Sequence, residues 1–168
     1  MRLIGLVLTG MVAGMVAGMV AAVIAAGAAQ ADVQALSPFD VANPAVGYLE
    51  RGLLAAVQQA ATAAAADGVT LTITSGWRTP EFQQQLLDDA VATYGSLPAA
   101  RQYVQTPQQS RHVTGQAVDI GGYAADDWLI ANGARFGLCR IYANELWHFE
   151  LAADTAGNCP PLRPDASW

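Results

Sequence analysis

The chain has 168 residues, enough for one core once an N-terminal segment is set aside, and a second catalytic domain of ordinary size is excluded. Its hydrophobic content of 53% is inflated by an Ala-rich beginning, yet all four Trp and all five Tyr lie beyond that beginning, which excludes a disordered chain. Eight basic residues, all Arg, stand against fourteen acidic ones for a formal charge of −6, the wrong sign for gripping a phosphate backbone. Nucleic acid is therefore not an expected partner, and with no glycine-rich phosphate loop neither is nucleotide chemistry.

Arg2 opens the chain and is followed by an uncharged stretch from Leu3 to Ala31 that ends in Ala29-Gln30-Ala31 before Asp32. A charged start, an apolar body and a small-residue cleavage site predict a signal peptide over residues 1–31. The stretch exceeds the ~20 apolar residues that span a bilayer, so an uncleaved anchor is the alternative. Gly10, Gly14 and Gly18 stand four apart, a spacing shared by close-packed membrane helices and by low-complexity signal sequences. On either reading the rest of the chain is expected outside the cytoplasm, with membrane contact only through this segment. Cys139 and Cys159 fit an oxidising compartment and are expected to pair, two separate buried thiols being the alternative.

Residues 32–44, with Pro38 and Pro44 and little periodicity, read as a lead-in linker, and 45–168 as the functional domain. The pattern Tyr48, Leu49, Leu53, Leu54, Val57 predicts an amphipathic helix over 45–67, closed at Gly68. Val69 to Thr74 alternates as a strand. Thr79-Pro80-Glu81 starts a helix, Thr as cap and Pro in the first turn, that runs to Gly95. A weaker helix covers 98–104, polar loop 106–110, and a short strand 117–120. A helix over 124–136 stops at Gly137, strands follow over 138–142 and 146–151, and a Pro-rich tail ends the chain. Helices first and strands late predict an α+β fold with a small antiparallel sheet.

The two histidines both have carboxylates nearby in sequence: His112 in Ser110-Arg-His-Val-Thr-Gly-Gln-Ala-Val-Asp119, and His148 in Glu145-Leu-Trp-His. Two imidazoles and one carboxylate form the three-ligand set of a catalytic zinc, so His112, Asp119 and His148 are the expected ligands of one zinc ion. Strand alternation sends Val118 and Ile120 to the core and Asp119 to the other face; likewise Trp147, Phe149 and Leu151 take one face, His148 and Glu150 the other. The ligand set leaves a divalent ion near +1, enough to polarise a carbonyl and activate water. Glu145, off the strand period, is the expected general base, a solvated loop carboxylate being the alternative. Arg78, between a strand and a helix, is the cation for a developing oxyanion or a substrate carboxylate, or else a structural partner of an acid or of Trp77. Trp147 and Phe149 read as core.

Ser-x-His-x-x-Gly-x-Ala-x-Asp (110–119), Glu-x-Trp-His-Phe (145–149) and Ser-Gly-aromatic-Arg-Thr (75–79) together resemble the zinc D-alanyl-D-alanine carboxypeptidase/dipeptidase family, the VanY and VanX group of peptidase family M15. The resemblance runs from about Ser75 to Leu151. It implies a small central antiparallel sheet flanked by helices with the zinc site on one face. It also implies His112, Asp119 and His148 as ligands, Glu145 as base, Arg78 as transition-state stabiliser, and Ser110 and Gln83 near substrate. The residues themselves leave Ser110 open to a backbone-bonding role and Gln83 to a helix-surface one. The implied substrate is a peptidoglycan stem peptide, cleaved by a secreted or envelope-bound monomer. Arg111 stands where VanY-like members often carry Glu, and Trp77 replaces a common Tyr; both departures bear on substrate preference. Cleavage of an internal L,D bond, or a zinc-retaining cell-wall binding module, are the competing functions, separable by a C-terminally blocked peptide and by turnover.

Overall fold

A computed structural model describes residues 35–168; the signal-peptide and anchor readings and the glycine repeat lie outside the described residues. The central sheet has four antiparallel strands, β1 (Ile73–Ser75), β2 (Ala117–Ile120), β3 (Leu138–Arg140) and β4 (His148–Leu151), in the order β1-β2-β4-β3. With helices packed against it the fold is α+β, as the element pattern predicts. Among the described residues, no helix is long and apolar enough to cross a membrane.

The predicted helix over 45–67 is two helices, α1 (Pro44–Gly47) and α2 (Arg51–Ala66), broken at Tyr48–Glu50. Apolar periodicity continues through the break, but the backbone there serves other partners: Trp77 N–H donates to the Ala45 carbonyl (2.9 Å) and Glu50 N–H to the Gly115 carbonyl (2.8 Å). Helix α2 then buries Leu53, Ala56, Val57, Ala60 and Ala64, an i, i+3, i+4 stripe, against Ile73, Val118, Ile120 and Phe149 of the sheet. The lead-in is irregular but attached, since Leu36 bridges to Ile73 and the Gln58 amide donates to the Pro38 carbonyl.

Helix α3 (Pro80–Tyr94) starts and stops as predicted, with the Thr79 hydroxyl accepting from Phe82 N–H and Gly95 closing it at φ 79°. Helix α4 (Leu97–Ala100) is shorter than predicted. Helix α5 (Tyr123–Asn132) tightens into a 3₁₀ turn (Gly133–Phe136) before Gly137. The first predicted strand is confined to Ile73–Ser75, with an irregular register against β2. Cys139 and Cys159 form the disulfide, twenty residues apart in sequence, tying the Pro-rich tail to β3. A loop of this length is worth ~3 kcal/mol in the chain-entropy model.

Candidate active site

The register of β2 on β4 places Asp119 opposite His148 and Ala117 opposite Glu150. Residues directly opposite on antiparallel strands share a face, so three polar side chains project together while Val118 and Phe149, fully buried, enter the core on the other side. Trp147 departs from the predicted core stripe. It precedes β4, and its ring is 43% exposed at the rim of the site.

His112 enters from the turn before β2. Its Nδ1 lies 2.9 Å from the Gly76 carbonyl, which can only accept, so Nδ1 carries the proton and Nε2 presents its lone pair inward. That Nε2 is 3.4 Å from Asp119 Oδ1 and 3.4 Å from His148 Nδ1. His148 is held in the opposite sense: its Nε2 faces Glu150 Oε1 at 3.1 Å, and its Nδ1 turns inward to 3.2 Å from Asp119 Oδ1. Each imidazole therefore has one nitrogen tied to an acceptor behind it and the other aimed at a common point. The three inward donor atoms lie within 4.8 Å of one another. Sequence spacing alone did not assign Glu150 a partner; its place two residues after His148 on a strand was the available signal.

Glu145 stands in the turn before β4, with Oε2 3.7 Å from His148 Nδ1 and Oε1 buried without a hydrogen-bond partner among the described residues. Burial pushes its carboxyl up, and despite the opposing charge of His148 it reaches about 7. Asp119 goes the other way: burial would raise it, but the charges and hydrogen bonds of His112 and His148 hold it well below the usual carboxylate range. Burial lowers His112. For His148 burial is outweighed by the hydrogen bonds to Asp119 and Glu150 and by nearby carboxylate charge, which push the imidazole up to about 9. Arg78 sits on the loop before α3, its guanidinium lowered by burial against the pull of Asp119 and Glu145, and its Nε has no partner among the described residues.

These groups line a cavity of about 210 Å³. Ser110 and Gln83 line it too, but already hold each other. The Ser110 hydroxyl donates to Gln83 Oε1 (2.9 Å), and the Gln83 amide donates to the Gln105 carbonyl (2.7 Å). Gln83 is 1% exposed, so it is not the helix-surface amide that periodicity allowed. Tyr142 was missed by sequence reasoning; its ring lies 4.9 Å from that of His148, and burial raises its hydroxyl pKa. Arg111, the departure noted above, reaches Glu150 at 3.8 Å from an exposed position.

Residues 47–153 match the family model described as VanY, D-alanyl-D-alanine carboxypeptidase. A D-alanyl-D-alanine carboxypeptidase of Enterococcus faecalis is 38% identical over 112 residues, covering 52% of this chain and 42% of that protein, so the chain spans about two-fifths of its curated relative. Among solved structures, a point variant of the vancomycin-resistance D,D-pentapeptidase VanY in complex with Zn(II) is 33% identical with a TM-score of 0.57, covering 61% of this chain and 71% of that one. VanYB in complex with D-Ala-D-Ala is likewise 33% identical, with a TM-score of 0.56, over 61% of this chain and 70% of its own. The family match contains all three motifs, at 75–79, 110–119 and 145–149, and the chain belongs to the VanY family of D-alanyl-D-alanine carboxypeptidases.

Proposed function

We propose that the protein is an extracytoplasmic zinc D,D-carboxypeptidase that removes the terminal D-alanine of peptidoglycan stem peptides, with His112, Asp119 and His148 holding one zinc ion. The convergence of donor atoms from two buried imidazoles and one part-buried carboxylate within 4.8 Å carries this reading. The donor chemistry fits the ion. The inward Nε2 of His112 is a lone-pair site, the inward Nδ1 of His148 becomes one when a cation displaces its proton, and around His148 stand three carboxylates, Asp119, Glu145 and Glu150, an excess of negative charge suited to a divalent cation. When bound, zinc supplies Lewis acidity and a lowered pKa for water. The Zn(II) complex of one relative and the D-Ala-D-Ala complex of another support the same ion and substrate class.

Glu145 is the base on this reading. Its unpartnered, buried Oε1 is free to take a proton from the attacking water, and a carboxyl pushed up to about 7 can return that proton to the departing amine as the C–N bond breaks. Arg78 holds positive charge beside the site, for the carbonyl oxygen as it gains negative charge or for the substrate's terminal carboxylate. Ser110, fixed as a donor to Gln83, keeps its lone pairs for a substrate N–H, and Gln83 positions it. The cavity of about 210 Å³ suits one small terminal residue, and the disulfide suits an oxidising compartment.

The test is zinc content together with D-alanine release from a stem pentapeptide, for the protein and its Glu145→Ala variant. One zinc per chain in both proteins, with release only in the parent, is the expected result. Zinc without release, but with cleavage of a C-terminally blocked peptide, would replace terminal by internal hydrolysis. A chain that binds no zinc would end the proposal.

A further inference from the structure

Residues 160–168 follow the disulfide and lie outside the family match at 47–153, yet they return to the active site. Arg163 N–H donates to the Ile141 carbonyl (2.9 Å) and Ala143 N–H to the Arg163 carbonyl (2.8 Å), so the segment pairs with the stretch leading out of β3. Three residues on, Ala166 N–H donates to the Gln102 carbonyl (3.2 Å), and the Gln105 amide donates to the Ala166 carbonyl. Ala166 is 4% exposed and packs with Cys139, Ile141 and Tyr142 in one small apolar cluster. Gln105 is also the residue whose carbonyl holds Gln83, so the segment is fastened to the loop that positions Ser110.

Ala166 lines the small cavity that holds Glu145 and His148. Arg163 and Trp168, on either side of it in sequence and joined by a hydrogen bond from the guanidinium to the Trp168 carbonyl (3.3 Å), line a second cavity of about 330 Å³. The two cavities share Gln105, Ser110, Arg111 and Tyr142. The segment therefore stands where they meet, as a partition across a single groove. On its other flank the small cavity is not closed, since it shares Arg78, Asp119 and Trp147 with an open cleft of about 670 Å³. A site open at one end and walled at the other admits the end of a chain and refuses its middle.

We propose that residues 163–168 are the end wall of the substrate cavity: they stop the peptide one residue beyond the scissile bond and so restrict hydrolysis to the terminal D-alanine. The wall acts by excluded volume and touches none of the reacting atoms. The disulfide and the pairing at Arg163 hold it from outside the cavity. An anchor for the substrate's terminal carboxylate at Arg78 could impose the same restriction, but such an anchor is indifferent to whether the segment is held. The assignment deepens the carboxypeptidase reading and rests on it.

Two changes to the full chain loosen the wall without altering a residue that lines the cavity. Cys139→Ser with Cys159→Ser removes the tie to β3, and Arg163→Pro removes the N–H given to Ile141. Each, and their combination, is made on zinc-loaded Glu145→Ala protein, which needs no turnover, and circular dichroism confirms that it is folded. Calorimetry then compares a stem pentapeptide ending in D-Ala-D-Ala with the same peptide extended by one glycine. With the wall held, the extended peptide is expected to bind at least ~10-fold more weakly, the order of discrimination a pocket wall sets against one added group. With the wall loosened the two affinities are expected to come within ~3-fold of each other. Because the two changes cut different ties, one folded variant is enough to decide. Equal affinities with the wall held would overturn the assignment, and so would failure of both peptides to bind. A ratio that stays the same in every folded variant would also overturn it and leave the restriction to Arg78. If the ratio behaves as expected but the protein with Glu145 intact releases no D-alanine, the wall stands and the hydrolytic reading falls.

Discussion

Glu150 offers a way to test the metal centre through a residue that does not touch the ion. Its carboxylate accepts from His148 Nε2 at 3.1 Å, which holds a proton on Nε2, stops the ring from turning and leaves Nδ1 as the nitrogen a metal ion would take. Glu150→Ala leaves the Nε2–H without an acceptor in a pocket where His148 is 5% exposed, so the ring loses both its orientation and its basicity. Removing such an outer partner typically weakens metal binding 10–100-fold, which converts to ~1.4–2.7 kcal/mol. Glu150→Gln keeps an oxygen acceptor at the same place but no charge, and should lose only a few-fold. Arg111→Ala is the control: its contact with Glu150 is long, 3.8 Å, and 53% of the Arg111 side chain is exposed, so solvent screens it and zinc affinity should hardly move. Competition against a chromophoric chelator at fixed pH gives the three dissociation constants, and circular dichroism checks that each variant is folded. Unchanged affinity in the folded Glu150→Ala protein would refute the reasoning.

Two further outcomes follow from the backbone and from burial. Gly115 has φ +72°, and a Cβ there would meet the Tyr48 carbonyl oxygen at 2.5 Å, whereas Gly95 at φ +79° has open space. Gly95→Ala should therefore show only the left-handed cost of ~1–2 kcal/mol in urea unfolding, while Gly115→Ala should exceed it and also weaken zinc binding; equal losses at the two positions would remove the steric argument. Asp126, in the first turn of α5, is buried with Oδ1 unpartnered among the described residues, and burial raises its folded carboxyl to about 6, above its ordinary 3.8. The folded state thus binds the extra proton, and stability falls as pH rises from about 4 through about 6, then levels. Measured without zinc throughout, Asp126→Asn should raise the melting temperature by a few degrees at pH 8, worth ~1–3 kcal/mol, and by little at pH 4. A difference independent of pH would contradict this.

The parts of the fold that were legible in the sequence are those fixed by neighbours in the chain. Thr79, Pro80 and Gly95 mark both ends of α3 because capping is local chemistry. The alternation in Ala117–Ile120 separates Asp119 from Val118 because side-chain direction reverses at each strand residue. Tyr48–Glu50 was illegible because what breaks the helix there is a loop 65 residues later, whose Gly115 carbonyl takes the Glu50 N–H. Gln83 looked like surface because periodicity cannot see Ser110, 27 residues away, which turns its amide into a buried partner. Trp147 extended an apolar alternation past the point where the strand begins, so its expected burial failed. Tyr142 gained meaning only when the sheet brought distant segments together.

The site divides its geometry between a rigid part and a clamped part. Asp119 and His148 are cross-strand partners, so their separation is set by sheet pairing and tolerates change in the loops around them. His112 comes from a turn, and an imidazole on an unrestrained turn would not keep a lone pair aimed to within a few tenths of an ångström. Restraint comes from the segment at the helix break. At Gly76, whose carbonyl takes the His112 Nδ1 proton, a Cβ would stand 2.0 Å from the Ala45 carbonyl oxygen; Gly115, three residues past His112, presses on Tyr48. Two glycines thus let two loops dock on one stretch of backbone, and the hydrogen bonds from Trp77 to Ala45 and from Glu50 to Gly115 fasten them there. The broken helix is therefore part of what builds the proposed metal site: a continuous helix over 45–67 would consume the Glu50 N–H and the Ala45 carbonyl internally and leave the loop carrying His112 without its anchor.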